Sequence, residues 1–156
     1  ELDEVLTSFD AMLGEPALFD TVFIDAPCSG TGTMRRHPEI PWRLTENDVT
    51  TELPKLQLTM LKEAAARVAA GGELIYATCS VFDEENTQVV DAFLASPEGE
   101  GFTVAPLSEA QILQLPEYDH AKSLVTLRQN DRGLFQSVPV NADSYDGHFC
   151  ARLVRQ

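Results

Sequence analysis

The stretch DTVFIDAPCSG, Asp20 to Gly30, decides the fold. Thr21 to Ile24 is an apolar, β-branched and aromatic run, the pattern of a strand covered on both faces. It passes at Asp25 into Pro27, Cys28, Ser29 and Gly30, which are turn residues. GTGTMRRHPEI, Gly30 to Ile40, continues it, and HPEIPW reads as an irregular loop because of Pro38 and Pro41. ELIYATCS, Glu73 to Ser80, is a second apolar run that again ends in a cysteine and a serine.

The segments around these two runs read as helices and closing strands. Leu2, Val5, Leu6, Phe9, Met12 and Leu13 have helical spacing, with Gly14 as a stop. Thr45 suits an N-cap, with Glu46 and Asp48 in the first turn. A long helix is expected from about Pro54 to Ala70, striped by Leu56, Met60, Leu61, Ala64, Ala65 and Val68 and ended by Gly71 and Gly72. Asp83 suits the cap of a further helix, with Glu84 and Glu85 near its positive end and Val89, Val90, Phe93 and Leu94 facing inward. FTVAPL is a short strand, and Ser108 to Gln111 resembles a capping box. GLFQSVPV and GHFCARLV read as two closing strands. Strands alternating with helices give an α/β sheet with right-handed crossovers. Ligands of such sheets sit at the carboxyl ends of the strands. Cys28 and Cys79 both fall there.

The chain has 156 residues and 44% apolar content, enough for one domain with a hydrophobic core. It has no apolar run as long as the ~18 residues of a membrane span, and its acidic opening is unlike a signal peptide. Three cysteines lie far apart without a CxxC pair, which argues against a disulfide scaffold or a zinc site and for a reducing compartment, the cytoplasm. The three histidines show no ligand spacing, so no metal site is expected. Net charge is −14, unlike a nucleic-acid-binding module working alone. The charge is uneven, however. Residues 1–32 hold no Lys or Arg, and Arg35, Arg36 and Arg43 then cluster against Glu39. Such a patch can hold phosphate; the alternative is arginines paired with an acidic surface.

Cysteines are often just small buried hydrophobes, and Cys150 within HFCARLV reads that way. Several reactive uses of Cys28 can be set aside. A phosphatase loop needs five residues between cysteine and arginine, but Met34 holds that place and Arg35 comes one late. GTGT lacks the lysine of a nucleotide P-loop and the third glycine of a dinucleotide fingerprint. Thiol oxidoreductases keep their pair in one CxxC turn. No histidine can be assigned as a protease partner. One chemistry suits two thiols and a carboxyl group. A thiolate added at carbon 6 of cytosine makes carbon 5 nucleophilic toward an activated methyl group. An acid near N3 relieves the charge that builds there, and a base must then take the carbon 5 proton. The cytosine must be single-stranded or flipped out.

DAPCSGTGTMRRHPEIPWR, GGELIYATCSVFDEENTQVV and DGHFCARL together resemble the RNA cytosine-5 methyltransferases of the Sun/Fmu type. The match covers most of residues 20–96 and returns at 146–153. The resemblance implies a Rossmann-like class I methyltransferase fold, mostly parallel with an antiparallel closing strand. It implies S-adenosylmethionine as methyl donor and RNA, ribosomal RNA in particular, as partner. It makes Cys79 the nucleophile and gives Cys28 the breakdown of the covalent adduct. It places Asp25 at the cofactor edge, against the cytosine and the donor, and gives Arg35, Arg36 and His37 the RNA backbone. DNA cytosine methyltransferases carry their nucleophile in a Pro-Cys pair, which would instead select Cys28.

The family's glycine-rich cofactor loop does not occur in residues 1–156. The expectation is therefore the C-terminal half of one methyltransferase domain, with Val22 to Ile24 left at a sheet edge open to self-association. A different class of function stays open beside it, an inactive RNA-binding or scaffolding half-domain.

Overall fold

A computed structural model describes residues 7, 10–12, 14, 16–106, 129–139 and 145–156. The strands are β1 (Phe19–Asp25), β2 (Val68–Thr78), β3 (Phe102–Val104), β4 (Phe135–Ser137) and β5 (His148–Arg155). The helices are the short α1 (Ile40–Arg43), α2 (Leu53–Ala65) and α3 (Thr87–Leu94). The sheet runs in the order β1-β2-β5-β3, with β4 also paired to β5. β1 and β2 are parallel, while β5 is antiparallel to β2, β3 and β4. Four strands therefore point one way and β5 alone is reversed, the α/β sheet with an antiparallel closing strand that the sequence implies. β1 is an edge strand among the described residues.

One sheet face carries the core. Leu74 and Tyr76 of β2 and Phe149, Ala151 and Leu153 of β5 alternate inward and are buried, as the two-residue period of a strand requires. Leu61 and Ala65 of α2 and Val89, Val90 and Phe93 of α3 cover them. Phe93 meets Phe102 edge-to-face, with ring centroids 5.5 Å apart. The other face is less covered: Phe23 of β1 is 62% exposed. Among the described residues β1 is thus sheltered on one side only, not on both.

Three local expectations change. The long helix ends at Ala65 rather than Ala70, because Val68 is drawn into the sheet and is fully buried there. The Phe19 N–H donates to the Arg67 carbonyl (2.8 Å), and Phe19 lies opposite Val68 while Thr21 lies opposite Glu73. The surplus residues of β2 form a bulge, and Gly71, with φ 76°, sits in it instead of stopping a helix. The HPEIPW segment contains α1, with Pro41 in its first turn, where a missing N–H costs nothing. Asp83 does not cap α3; the helix starts at Thr87, and the preceding turn directs Glu85 into the core.

Thr45 behaves as expected. Its hydroxyl and N–H both donate to Asp48 Oδ2, and the Asp48 N–H donates back to Thr45 Oγ1 at 3.2 Å. A π-helical turn, Asp48–Glu52, then leads into α2. Of the opening helix only Asp10 to Met12 and Thr7 are described, and they are helical. Asp10 pairs with Arg67 at 2.7 Å, and that guanidinium holds its carboxyl below the usual range. The Ser108–Gln111 box lies outside the described residues. No helix among those described is long and apolar enough to cross a membrane.

Candidate active site

The carboxyl ends of β1 and β2 lie side by side, with Asp25 in register with Ala77. Each strand runs directly into a cysteine turn. Cys28 Sγ and Cys79 Sγ approach to 3.4 Å. The Ala26 N–H still donates to the Ala77 carbonyl (2.9 Å), so the ladder extends up to the turns and fixes them relative to each other. Cys150 is elsewhere, half-buried in β5 between Ala77 and Phe135.

Glycines allow the turns to pack this closely. Gly30 has φ 72°, which a side chain would disfavour. The Gly32 N–H donates to the Cys79 carbonyl (2.8 Å), and the Gly147 N–H donates to the Gly32 carbonyl (2.9 Å). A Cβ on Gly32 would stand 2.1 Å from the Gly147 carbonyl oxygen. GTGT is thus a contact turn that joins both cysteine loops to the start of β5.

Below the thiols lies a buried polar cluster. Glu85 accepts from the Ser29 N–H (2.8 Å) and from Gln57 Nε2 (3.0 Å) through Oε1. Its Oε2 accepts from the hydroxyls of Ser29 (2.5 Å) and Ser80. Gln57 Nε2 also donates to the Pro27 carbonyl at 3.0 Å; two acceptors on one side fix the orientation of its amide. Asn86 Nδ2 donates to the Ser80 carbonyl (3.0 Å), and Thr78 Oγ1 donates to Asn86 Oδ1 (2.6 Å). Sequence reasoning missed this cluster. Its visible signals were a serine after each cysteine and a polar Gln57 heading the buried seam Gln57–Leu61–Ala65.

Burial, above all, pushes the Cys28 thiol up to about 12, and the neighbouring Cys79 adds to that shift. Cys28 is therefore a protonated thiol at neutral pH, and a protonated thiol is a poor nucleophile. Burial also raises Cys150.

The other predicted site residues flank Cys28 in the chain. Asp25 is exposed at the end of β1 and borders a cleft of about 760 Å³ beside that strand and α2. Arg36 pairs with Asp146, Nε donating to Oδ2 at 2.7 Å, and Arg35 NH2 lies 3.7 Å from Asp146 Oδ1. His37 Nδ1 lies 3.4 Å from Glu39. All three side chains are half or more exposed. Because Asp146 precedes Gly147, this loop is joined to the same contact turn. Trp42, just beyond it in α1, is 89% exposed.

Residues 3–154 match the family model described as 16S rRNA methyltransferase RsmB/F. The chain belongs to this family. Ribosomal RNA small subunit methyltransferase B of Salmonella arizonae is 50% identical over 139 residues, 88% of this chain and 27% of that protein. Its Pectobacterium atrosepticum counterpart is 34% identical over 141 residues, 90% of this chain and 27% of that one. The chain spans about a quarter of the length of these RsmB/F relatives. Among solved structures, PH0851 superimposes with TM-score 0.65 at 36% identity, covering 86% of this chain and 26% of that one. NSun6 from Pyrococcus horikoshii, solved with SFG, superimposes with TM-score 0.57 at 18% identity, covering 85% of this chain and 29% of that one. That likeness shows a shared fold.

Proposed function

We propose that this chain carries the catalytic thiols of an RNA cytosine-5 methyltransferase domain, of which it forms the C-terminal part, acting on ribosomal RNA in the cytoplasm. The observation that carries the reading is the 3.4 Å approach of Cys28 to Cys79 at the carboxyl edge of the sheet. Cys79 adds to carbon 6 of a flipped-out cytosine. Cys28 is held as a neutral thiol within reach of the sulfur that must later leave. As a solvent base takes the carbon 5 proton and the carbon 6–sulfur bond breaks, Cys28 gives its proton to the departing Cys79 thiolate and regains one from water. The family resemblance, which makes Cys79 of the TCS motif the nucleophile, supports this division of roles.

S-adenosylmethionine, when bound, supplies an electrophilic methyl group. Its sulfonium and ammonium are cationic, and the exposed carboxylate of Asp25 beside the β1 cleft suits them. Asp25 is the residue of this chain assigned to hold the donor and orient the cytosine. Arg35, Arg36 and His37 grip the RNA backbone, which positions a strand without reading its sequence. Trp42 offers a stacking face for an adjacent base.

Two measurements test the reading. Methyl-labelled S-adenosylmethionine and 16S ribosomal RNA should yield 5-methylcytosine with the full protein. Calorimetry of S-adenosylmethionine with this chain separates an enzyme from a scaffold. RNA binding without donor binding or methyl transfer would identify an inactive RNA-binding half-domain.

A further inference from the structure

We propose that Glu85 is a positioning residue that sets the distance between the two cysteines. The inference rests on the thiol roles given above, but its geometry stands apart from them. Ser29 directly follows Cys28, and Ser80 directly follows Cys79. Both hydroxyls donate to the same oxygen of Glu85, and the Ser29 N–H and Gln57 amide donate to the other. One fully buried carboxyl group thus clamps the residue after each cysteine and ties both to α2.

Counting protons sharpens the point. Each serine hydroxyl has one proton, and Glu85 takes both. The 3.1 Å contact between the serine oxygens is therefore not a hydrogen bond in its own right, and the two oxygens stay together because they share an acceptor. Thr31 Oγ1, 3.1 Å from Ser29 Oγ and 3.4 Å from Ser80 Oγ, keeps its proton for one of them and accepts from the Val81 N–H. The Phe82 N–H also donates to Ser80 Oγ. Both serine protons are directed to one carboxyl oxygen, so the bonds from the two cysteine turns meet at Glu85. No cation takes part among these partners; all four donors are neutral. Enclosed by these donors and fully buried, Glu85 holds position, whereas Asp25 stands at the exposed edge.

The test uses Glu85→Gln, which keeps the shape but replaces the double acceptor for the hydroxyls with an amide donor. Ser80→Ala is the second variant, removing one tether and leaving the carboxyl group in place. Diamide oxidises two neighbouring thiols to a disulfide and is itself reduced to the hydrazine. Mass spectrometry then gives the rate of the Cys28–Cys79 cross-link, separately from Cys150. The cross-link should form roughly tenfold more slowly in Glu85→Gln, because disulfide geometry tolerates little displacement. Turnover on RNA should fall by about 10²-fold in kcat with KM for RNA unchanged, as expected for misplaced reacting groups. Ser80→Ala should change both in the same direction by less. Cross-linking at the wild-type rate in either folded variant overturns the proposal, whatever happens to turnover. Slower cross-linking together with a Cys28→Ala protein that traps no RNA would uphold Glu85 and overturn the thiol roles instead.

Discussion

The sulfur atoms of Cys28 and Cys79 lie 3.4 Å apart although 51 positions separate them in the chain. Parallel pairing of β1 with β2 brings about this meeting, since both strands end at the same edge. If the two thiols divide addition and release between them, their removal must have different consequences. In the full protein, Cys79→Ala should abolish methyl transfer and form no covalent RNA adduct. Cys28→Ala should slow turnover on the order of 10²–10⁴-fold, the usual range for losing a proton-transfer group, and accumulate the adduct. Denaturing gels with labelled RNA read the adduct directly. An adduct formed by Cys79→Ala but not by Cys28→Ala would reverse the assignment.

Cys28 also predicts a pH dependence of stability. Burial raises its folded-state value from 9.0 to about 12. Above the unfolded value the unfolded chain loses the proton while the folded chain keeps it. The contribution of Cys28 is thus fully present below about pH 9 and declines as pH rises toward about 12. Urea unfolding from about pH 8 to about pH 11 should show wild type losing stability more steeply than Cys28→Ser. Cys150 shifts in the same direction in both proteins, so the difference between them isolates Cys28. Parallel curves would refute the shift.

The parts of this fold legible in the sequence were those set by local pattern. The apolar stretches Thr21 to Ile24 and Leu74 to Ala77 that end at turn residues mark β1 and the second half of β2, the alternation in HFCARLV marks a closing strand, and Thr45 announces its own cap. The parts that were not legible depended on long-range pairing. Val68 to Ala70 suit a helix by composition, but Phe19 pairs with Val68 and makes them a strand. Glu85 shows the same limit at the site. A pair of acidic residues after a capping aspartate reads as facing the positive end of a helix, and only the packing of α2 and both cysteine turns around Glu85 reveals a buried acceptor.

Gly32 gives a prediction about backbone packing. A methyl group there would stand 2.1 Å from the Gly147 oxygen and 2.8 Å from the Cys79 oxygen, and both are backbone atoms that cannot turn aside. Gly32→Ala should destabilise the protein by about 1–3 kcal/mol, the range for overpacking. It should also lower activity beyond the loss of folded protein, because relief of the clash moves the Cys79 turn. Thermal unfolding and kcat at a temperature where the variant is fully folded test the two parts. A variant with wild-type unfolding temperature would contradict the close approach.

The basic loop poses a competition. Arg36 is paired with Asp146, and that guanidinium, helped by Arg35, holds the Asp146 carboxyl below its usual range. Phosphate must take the arginines from this partner if they bind RNA. Removing one arginine–phosphate pair lowers the slope of log affinity against log salt by about 0.7 for single strands, so the double Arg35→Ala, Arg36→Ala variant should flatten it by about 1.4. Asp146→Asn should tighten RNA binding by removing the competitor. Neutralising Asp131, an exposed carboxyl group elsewhere on the chain, controls for the change in net charge. If the arginines only pair with the acidic surface, the double variant will keep the wild-type salt slope, and Asp146→Asn will affect binding no more than Asp131→Asn. If they grip RNA, the two single neutralisations will differ, because only one of them frees a guanidinium beside the cysteine turns.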